Sequence, residues 1–142
     1  SLHAATDEER DRLIPINRRW KIGELMETLR YYIEKTGRQV TIEWALIAGE
    51  NDTAEQAHRL GELLQGMLVH VNLIPLNPTA GYGGAPSSRA RVAAFQQTLA
   101  GYGVSSTVRV RRGIDIQAGC GQLRDRTIQD RAQQLGLLGE EE

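Results

Sequence analysis

The sequence predicts an α/β fold, with parallel strands and helices on the outer face, as the C-terminal half of a partial, TIM-like β/α barrel. Three observations carry that expectation. First, β-rich and helical segments alternate along 142 residues without a clear internal boundary. Repeating β-α units of these lengths call for parallel strands joined by covering helices. Second, the strands are amphipathic. Leu2, then Val40, Ile42, Trp44 and Leu46, then Val69, Val71 and Leu73, then Val108 and Val110 form one apolar face. The other face carries Ser1 and His3, Thr41 and Glu43, His70 and Asn72, Thr107 and Arg109. A doubly wound sheet would be apolar on both faces, whereas one polar face suits a barrel whose interior is a site. Third, four strands are too few for a whole barrel. The first strand should therefore leave an open edge, which tends to pair with something, and either a homodimer or partial disorder of the isolated piece is expected.

Each element has its own signal. Ser1 to Ala4 reads as the end of a strand. Thr6-Asp7-Glu8-Glu9 has capping-box spacing and should open a short helix. Ile22, Leu25, Met26, Leu29, Tyr32 and Ile33 follow helical spacing, and Gly37 ends that helix. Val40 to Ile47 alternates as a strand. Thr53-Ala54-Glu55-Gln56 repeats the capping pattern ahead of a helix with Ala57, Leu60, Leu64 and Met67 on one face. Val69 to Pro75 is the next strand, and a loop rich in Gly and Pro follows from Leu76 to Pro86. A helix near Ser88 turns Val92, Phe95 and Leu99 inward, Gly101 and Gly103 close it, and Ser105 to Val110 is the last strand. Residues 1–123 make the barrel half, and 124–142 a polar tail, a frayed helix ending in acidic residues.

Composition narrows the class. A hydrophobic share of 40% and a charged share of 25% suit a soluble domain long enough to bury a core. One cysteine excludes an internal disulfide framework and a cysteine cluster for metal within these residues. No apolar run approaches membrane-spanning length and no basic-then-apolar leader is present, so the chain reads as cytoplasmic. From Leu63 to Ile114 there is no Asp or Glu, yet Arg89, Arg91, Arg109, Arg111 and Arg112 fall there. Arginine forks suit phosphate and stack on bases, which makes Arg109, Arg111 and Arg112 candidate RNA contacts; a solvated surface is the plainer alternative.

In parallel β/α folds the loops after the strands share one rim and build the site. Here they are residues 3–6, 48–52, 76–86 and 111–120. Ser1 and His3 either bind a ligand or serve structure. Glu43 is either a ligand contact or a charge paired with Arg109 or His70, the pairing being favoured. Asn51-Asp52 is expected to turn the chain and cap the following helix. Asn77 sits between two prolines with fixed φ, and turn chemistry and ligand binding are both open to it. Cys120, among Gly113, Gly119 and Gly121, is either a small buried hydrophobe or a thiol presented by a loop as nucleophile or group carrier.

Taken together, Ser1-Leu2-His3-Ala4, Leu13-Ile14-Pro15-Ile16-Asn17, Asn51-Asp52, Asn72 to Pro78 and Gly113 to Leu123 resemble the C-terminal half of the radical-SAM adenine methyltransferases of 23S ribosomal RNA, the RlmN/Cfr family, and RlmN more closely. The resemblance implies a 4Fe-4S cluster that cleaves S-adenosylmethionine to a 5′-deoxyadenosyl radical. Ser1, Leu2, His3 and Asn77 match positions that contact S-adenosylmethionine. Cys120 matches the cysteine that is methylated and whose methyl group, after hydrogen abstraction, adds to an unactivated adenine carbon. The implied partners are 23S ribosomal RNA and, as a further expectation, transfer RNA. The cysteine triplet that holds the cluster, a second catalytic cysteine and a general base are absent here and expected upstream, in a missing N-terminal half. The chain therefore reads as a fragment, inactive alone. Gly119 stands where alanine is usual. A non-catalytic RNA-binding half barrel and a generic small-ligand barrel fragment are the alternatives.

Overall fold

The computed structural model describes residues 1–76 and 87–109. Asn77, Arg111, Arg112 and Cys120, the loop 77–86, and the expected boundary between 1–123 and 124–142 lie outside them. Within the described residues a three-stranded parallel sheet is covered by helices. Strand β1 (Val40–Leu46) pairs with β2 (Val69–Pro75) from Val40 opposite Val69 to Leu46 opposite Pro75. Strand β3 (Ser105–Val108) pairs with the other edge of β2, with Asn72 opposite Thr107. The helices are α1 (Asp7–Leu13), α2 (Ile22–Thr36), α3 (Ala54–Leu64) and α4 (Arg89–Gly101), with a 3-10 turn at Pro15–Arg18.

The core forms where the period-2 face of the sheet meets the period-3.6 faces of the helices. Ile42, Trp44, Leu46, Val71 and Leu73 from the strands join Met26 of α2, Leu60 and Leu64 of α3, and Phe95 and Leu99 of α4. Trp44 and Phe95 anchor it, their ring centroids 5.8 Å apart and tilted by 44°. The helix boundaries follow local chemistry. Thr6, Thr53 and Ser88 each accept the amide of the residue three positions on, and Gly37 ends α2 at φ 64°, a left-handed C-cap.

Several expectations are corrected. Ser1 to Ala4 is not a strand. Among its backbone groups only the Leu2 amide pairs with β1, donating to the Glu43 carbonyl at 3.0 Å, and His3 then turns to φ 61°. Val108 was expected on the buried face but is 38% exposed, since it lies on the edge strand at the end of its pairing. Tyr32 is exposed as well, beyond the width of the stripe that α2 buries. The second capping box is half formed: the Gln56 side chain reaches across to Glu9 of α1 instead of back to Thr53. No helix among the described residues is long and apolar enough to cross a membrane.

Candidate functional site

The C-terminal ends of the strands gather the segment 1–3, the β1–α3 loop, Leu76, Ser87 and Arg109 on one rim. Leu76 donates its amide to Leu46 at 3.2 Å, and Arg109 donates its own to Leu73 at 2.9 Å. Arg109 is exposed there.

The segment carrying Ser1, Leu2 and His3 is held by side chains instead of by a strand ladder. Arg10, only 6% exposed, donates from Nη2 to the Ser1 carbonyl (3.0 Å) and from Nε to the Leu2 carbonyl (3.1 Å). Its remaining Nη1 donates to Asn17 Oδ1 at 2.8 Å. Burial works against the Arg10 charge, while Asp7 and Asp11 support it. Asn17, itself fully buried, donates to Asp7 Oδ1 and Asp11 Oδ1, and Asp7 Oδ1 also accepts the first amide of α2, that of Ile22. Sequence reasoning missed Arg10 and Asn17 as site supports. The signal available was a Pro-Ile-Asn turn placed directly after a short helix rich in charge.

His3 lies on the polar side. Its ring Nδ1 accepts the Ala45 amide at 2.8 Å. Burial, then the positive charges of the amino terminus and Arg10, lower its pKa to about 4, with Glu43 pulling the other way. Asn51 and Asp52, expected to turn and cap, are both buried. Thr53 is the cap, and the two preceding residues tie loops together. Asn51 accepts from the Ile47 amide (2.7 Å) and donates to the carbonyls of His3 (2.8 Å) and Ala45 (2.6 Å). Asp52 accepts from the Gly49 amide (2.9 Å) and from the Ser87 hydroxyl (2.8 Å), which joins the β1–α3 loop to the start of α4.

Below the rim, the polar face of the sheet carries a continuous chain of hydrogen bonds. Ser105 Oγ meets His70 Nδ1 at 2.7 Å, and His70 Nε2 meets Thr107 Oγ1 at 3.0 Å. Thr107 donates to Asn72 Oδ1 at 2.7 Å, and Asn72 Nδ2 donates to Glu43 Oε1 at 3.0 Å. Glu43 therefore pairs with Asn72 and with neither Arg109 nor His70, because Asn72 is its register partner on β2. Among the described residues no group of three His, Cys, Asp or Glu side chains is placed to hold a metal ion. Recesses of about 550 Å³ and 330 Å³ flank α1, and neither is lined by Ser1, Leu2 or His3.

These features define a class before a family: part of a parallel β/α fold with its strand-end loops gathered over a polar face. The fold matches the crystal structure of a radical SAM methyltransferase from Sphaerobacter thermophilus with a TM-score of 0.83 and 50% identity, over 85% of this chain and 36% of that one. A domain of pyruvate-formate lyase-activating enzyme from Bacteroides vulgatus shares the fold alone, with a TM-score of 0.61 and 16% identity over 77% of this chain and 64% of the other. No protein-family model matches the chain. In sequence it is 63% identical over 124 residues to dual-specificity RNA methyltransferase RlmN 1 of Myxococcus xanthus, which covers 87% of this chain and 34% of that protein. It is 48% identical over 132 residues to the probable RlmN of Bacillus subtilis, 92% of this chain and 36% of the relative. The chain belongs to the RlmN family of radical-SAM methyltransferases, and it spans about a third of the length of these relatives.

Proposed function

We propose that this chain is the part of a radical-SAM RNA methyltransferase that binds S-adenosylmethionine at its strand ends and carries the transferred methyl group on Cys120. The proposed reaction is methylation of adenine carbon 2 in 23S ribosomal RNA, with transfer RNA as the second substrate to test and the cytoplasm as the site of action. The identity to relatives named as RlmN RNA methyltransferases, over 87% of the chain, is the observation that carries this reading.

The chain's own residues divide the work. Ser1 and His3 lie beside the C-terminal part of β1 on a backbone held by Arg10 and Asn51, with one His3 ring nitrogen unpartnered among the described residues, while Leu2 is buried and anchors the segment to the core. Asn77 would join them. S-adenosylmethionine, when bound, supplies the methyl group and the radical precursor. The Cys120 thiolate, having lost its proton, takes that methyl by attack on its carbon; an S–CH3 bond forms as the sulfonium's own S–CH3 bond breaks, and a neutral thioether leaves. Arg109, Arg111 and Arg112 would meet RNA phosphates. An iron–sulfur cluster does not fit the residues of this chain, which has one cysteine where such clusters take several thiolates.

The test is the mass of the Cys120 peptide from the complete reading frame, expressed with iron and sulfide. An added methyl group on Cys120, together with loss of RNA methylation in Cys120→Ala, supports the proposal. Retained methylation in Cys120→Ala overturns it.

A further inference from the structure

We infer that Asn51 is a positioning residue for the cofactor end of this site: it locks the left-handed turn at His3, so that the imidazole stands as its Nε2–H tautomer and offers a donor to a ligand acceptor. The ligand part of this inference rests on the proposed function, whereas the tautomer does not.

The backbone comes first. His3 is the one non-glycine residue with positive φ among the described residues, at 61°. A non-glycine residue there carries strain that the surroundings must overcome, and such strain concentrates at functional sites. The surroundings are specific. The Ser1 and Leu2 carbonyls are held by Arg10, and the Leu2 amide by Glu43. The His3 carbonyl, on the residue that turns, is held among the described residues by Asn51, at 2.8 Å.

The side chain of Asn51 has no freedom to flip. Its amide nitrogen faces two carbonyls, His3 and Ala45, and its oxygen faces the Ile47 amide. Reversing it would set one oxygen against two others and a nitrogen against an N–H. At 3% exposure no water can compensate. The Ala45 residue whose carbonyl Asn51 holds also donates its amide to His3 Nδ1 at 2.8 Å. A ring nitrogen that accepts an N–H carries no proton, so in the neutral imidazole the proton sits on Nε2. Asn51 thus fixes both the turn that aims the ring and the strand residue that selects its tautomer. Burial and the Arg10 charge oppose a second proton on the ring, and Glu43 of β1 favours one. The result is a site for an acceptor atom, such as a carboxylate, a hydroxyl or a purine nitrogen, and not for a donor.

The experiment uses the complete reading frame loaded with its cluster and labelled with 15N-histidine. Long-range proton–nitrogen correlation at neutral pH should show an unprotonated Nδ1 and a protonated Nε2 for His3. Asn51→Asp replaces the two donors with acceptors; it should mix the tautomers and weaken S-adenosylmethionine binding roughly tenfold by equilibrium dialysis, the scale of one lost hydrogen bond. His3→Asn guards against a folding defect. Asparagine tolerates the left-handed turn and can still accept the Ala45 amide, but lacks the second ring nitrogen. It should weaken binding by a similar factor with an unchanged unfolding midpoint. A protonated Nδ1 in the unsubstituted protein, or unchanged tautomer and affinity in Asn51→Asp, overturns the inference. A fixed tautomer in a cluster-loaded protein that does not bind S-adenosylmethionine instead overturns the proposed function, and with it the cofactor role of the clamp.

Discussion

His3 shows how much one residue can depend on neighbours distant in sequence, since its acceptor bond to Ala45 spans 42 positions and its carbonyl clamp from Asn51 spans 48. That coupling gives a pH dependence with a definite sign. The folded pKa, about 4, lies below the ordinary 6.5, so the unfolded chain takes a proton that the folded one refuses. The stability His3 contributes is therefore present above pH 6.5 and is lost as pH falls toward 4. Urea midpoints followed from neutral pH through that window should fall more steeply for the unsubstituted chain than for His3→Asn; parallel curves would contradict the assignment. Arg10 supports a second prediction. Its three bonds run in three directions from one planar fork, to Ser1, Leu2 and Asn17. Lysine offers a point charge in its place, so Arg10→Lys should lower the unfolding free energy by about 2–4 kcal/mol despite keeping the charge. Neither role was legible in the sequence. An arginine inside a helix rich in charge reads as solvated surface until the Pro15–Arg18 turn folds Asn17 back onto it. Asn51 and Asp52 left a fainter trace: once Thr53 serves as the helix cap, two polar residues before it have no local task.

At the scale of elements the sequence was far more informative, because strand and helix periodicities depend on neighbours two to four residues away. Strands β1 and β2, the inward residues of α3 and α4, the threonine caps and the Gly37 stop were all readable from local pattern. What failed were edges. The segment 1–4 has strand composition, yet its carbonyls go to Arg10 and Asn51, which leaves a single ladder bond. Val108 has strand character on a strand with one neighbour. Close packing between elements was equally hidden. Gly61 in the middle of α3 reads as a weak point in a helix, but a Cβ there would run into the ring of Tyr102, Cγ at 2.6 Å. That ring is held edge-on to His58, whose Nδ1 meets the Tyr102 hydroxyl at 2.9 Å. Two effects compete in Gly61→Ala. Helix propensity favours alanine by about 1 kcal/mol, whereas overpacking against a restrained ring costs about 1–3 kcal/mol. The steric term should win. The variant is expected to melt at lower temperature by calorimetry, and Tyr102→Ala in the same background should relieve the strain in a double-mutant cycle. A rise in melting temperature for Gly61→Ala alone would show that the ring yields freely.

For the whole molecule, the decisive property is that the sheet has two unlike faces. One is sealed by three helices, and the other carries Glu43, Asn72, Thr107, His70 and Ser105 joined across all three strands. The alternation that predicted this asymmetry is the most global fact the sequence held, and it separated a half barrel from a doubly wound sheet. Adjacent residues on β2 allow a direct test, since Leu73 points into the helical side and Asn72 into the polar side of the same strand. Leu73 is fully buried, so Leu73→Ala removes apolar contact and leaves a cavity, at a cost of about 2–5 kcal/mol. Asn72→Ala breaks two hydrogen bonds on a half-buried face where water can replace the missing partner, at about 1 kcal/mol. Chemical denaturation of both variants should give the larger loss for Leu73→Ala. The opposite order would place the stabilising core on the polar side and would exclude an interior left open for a ligand. With the expected order, the polar face is free to serve binding, because the fold does not depend on it.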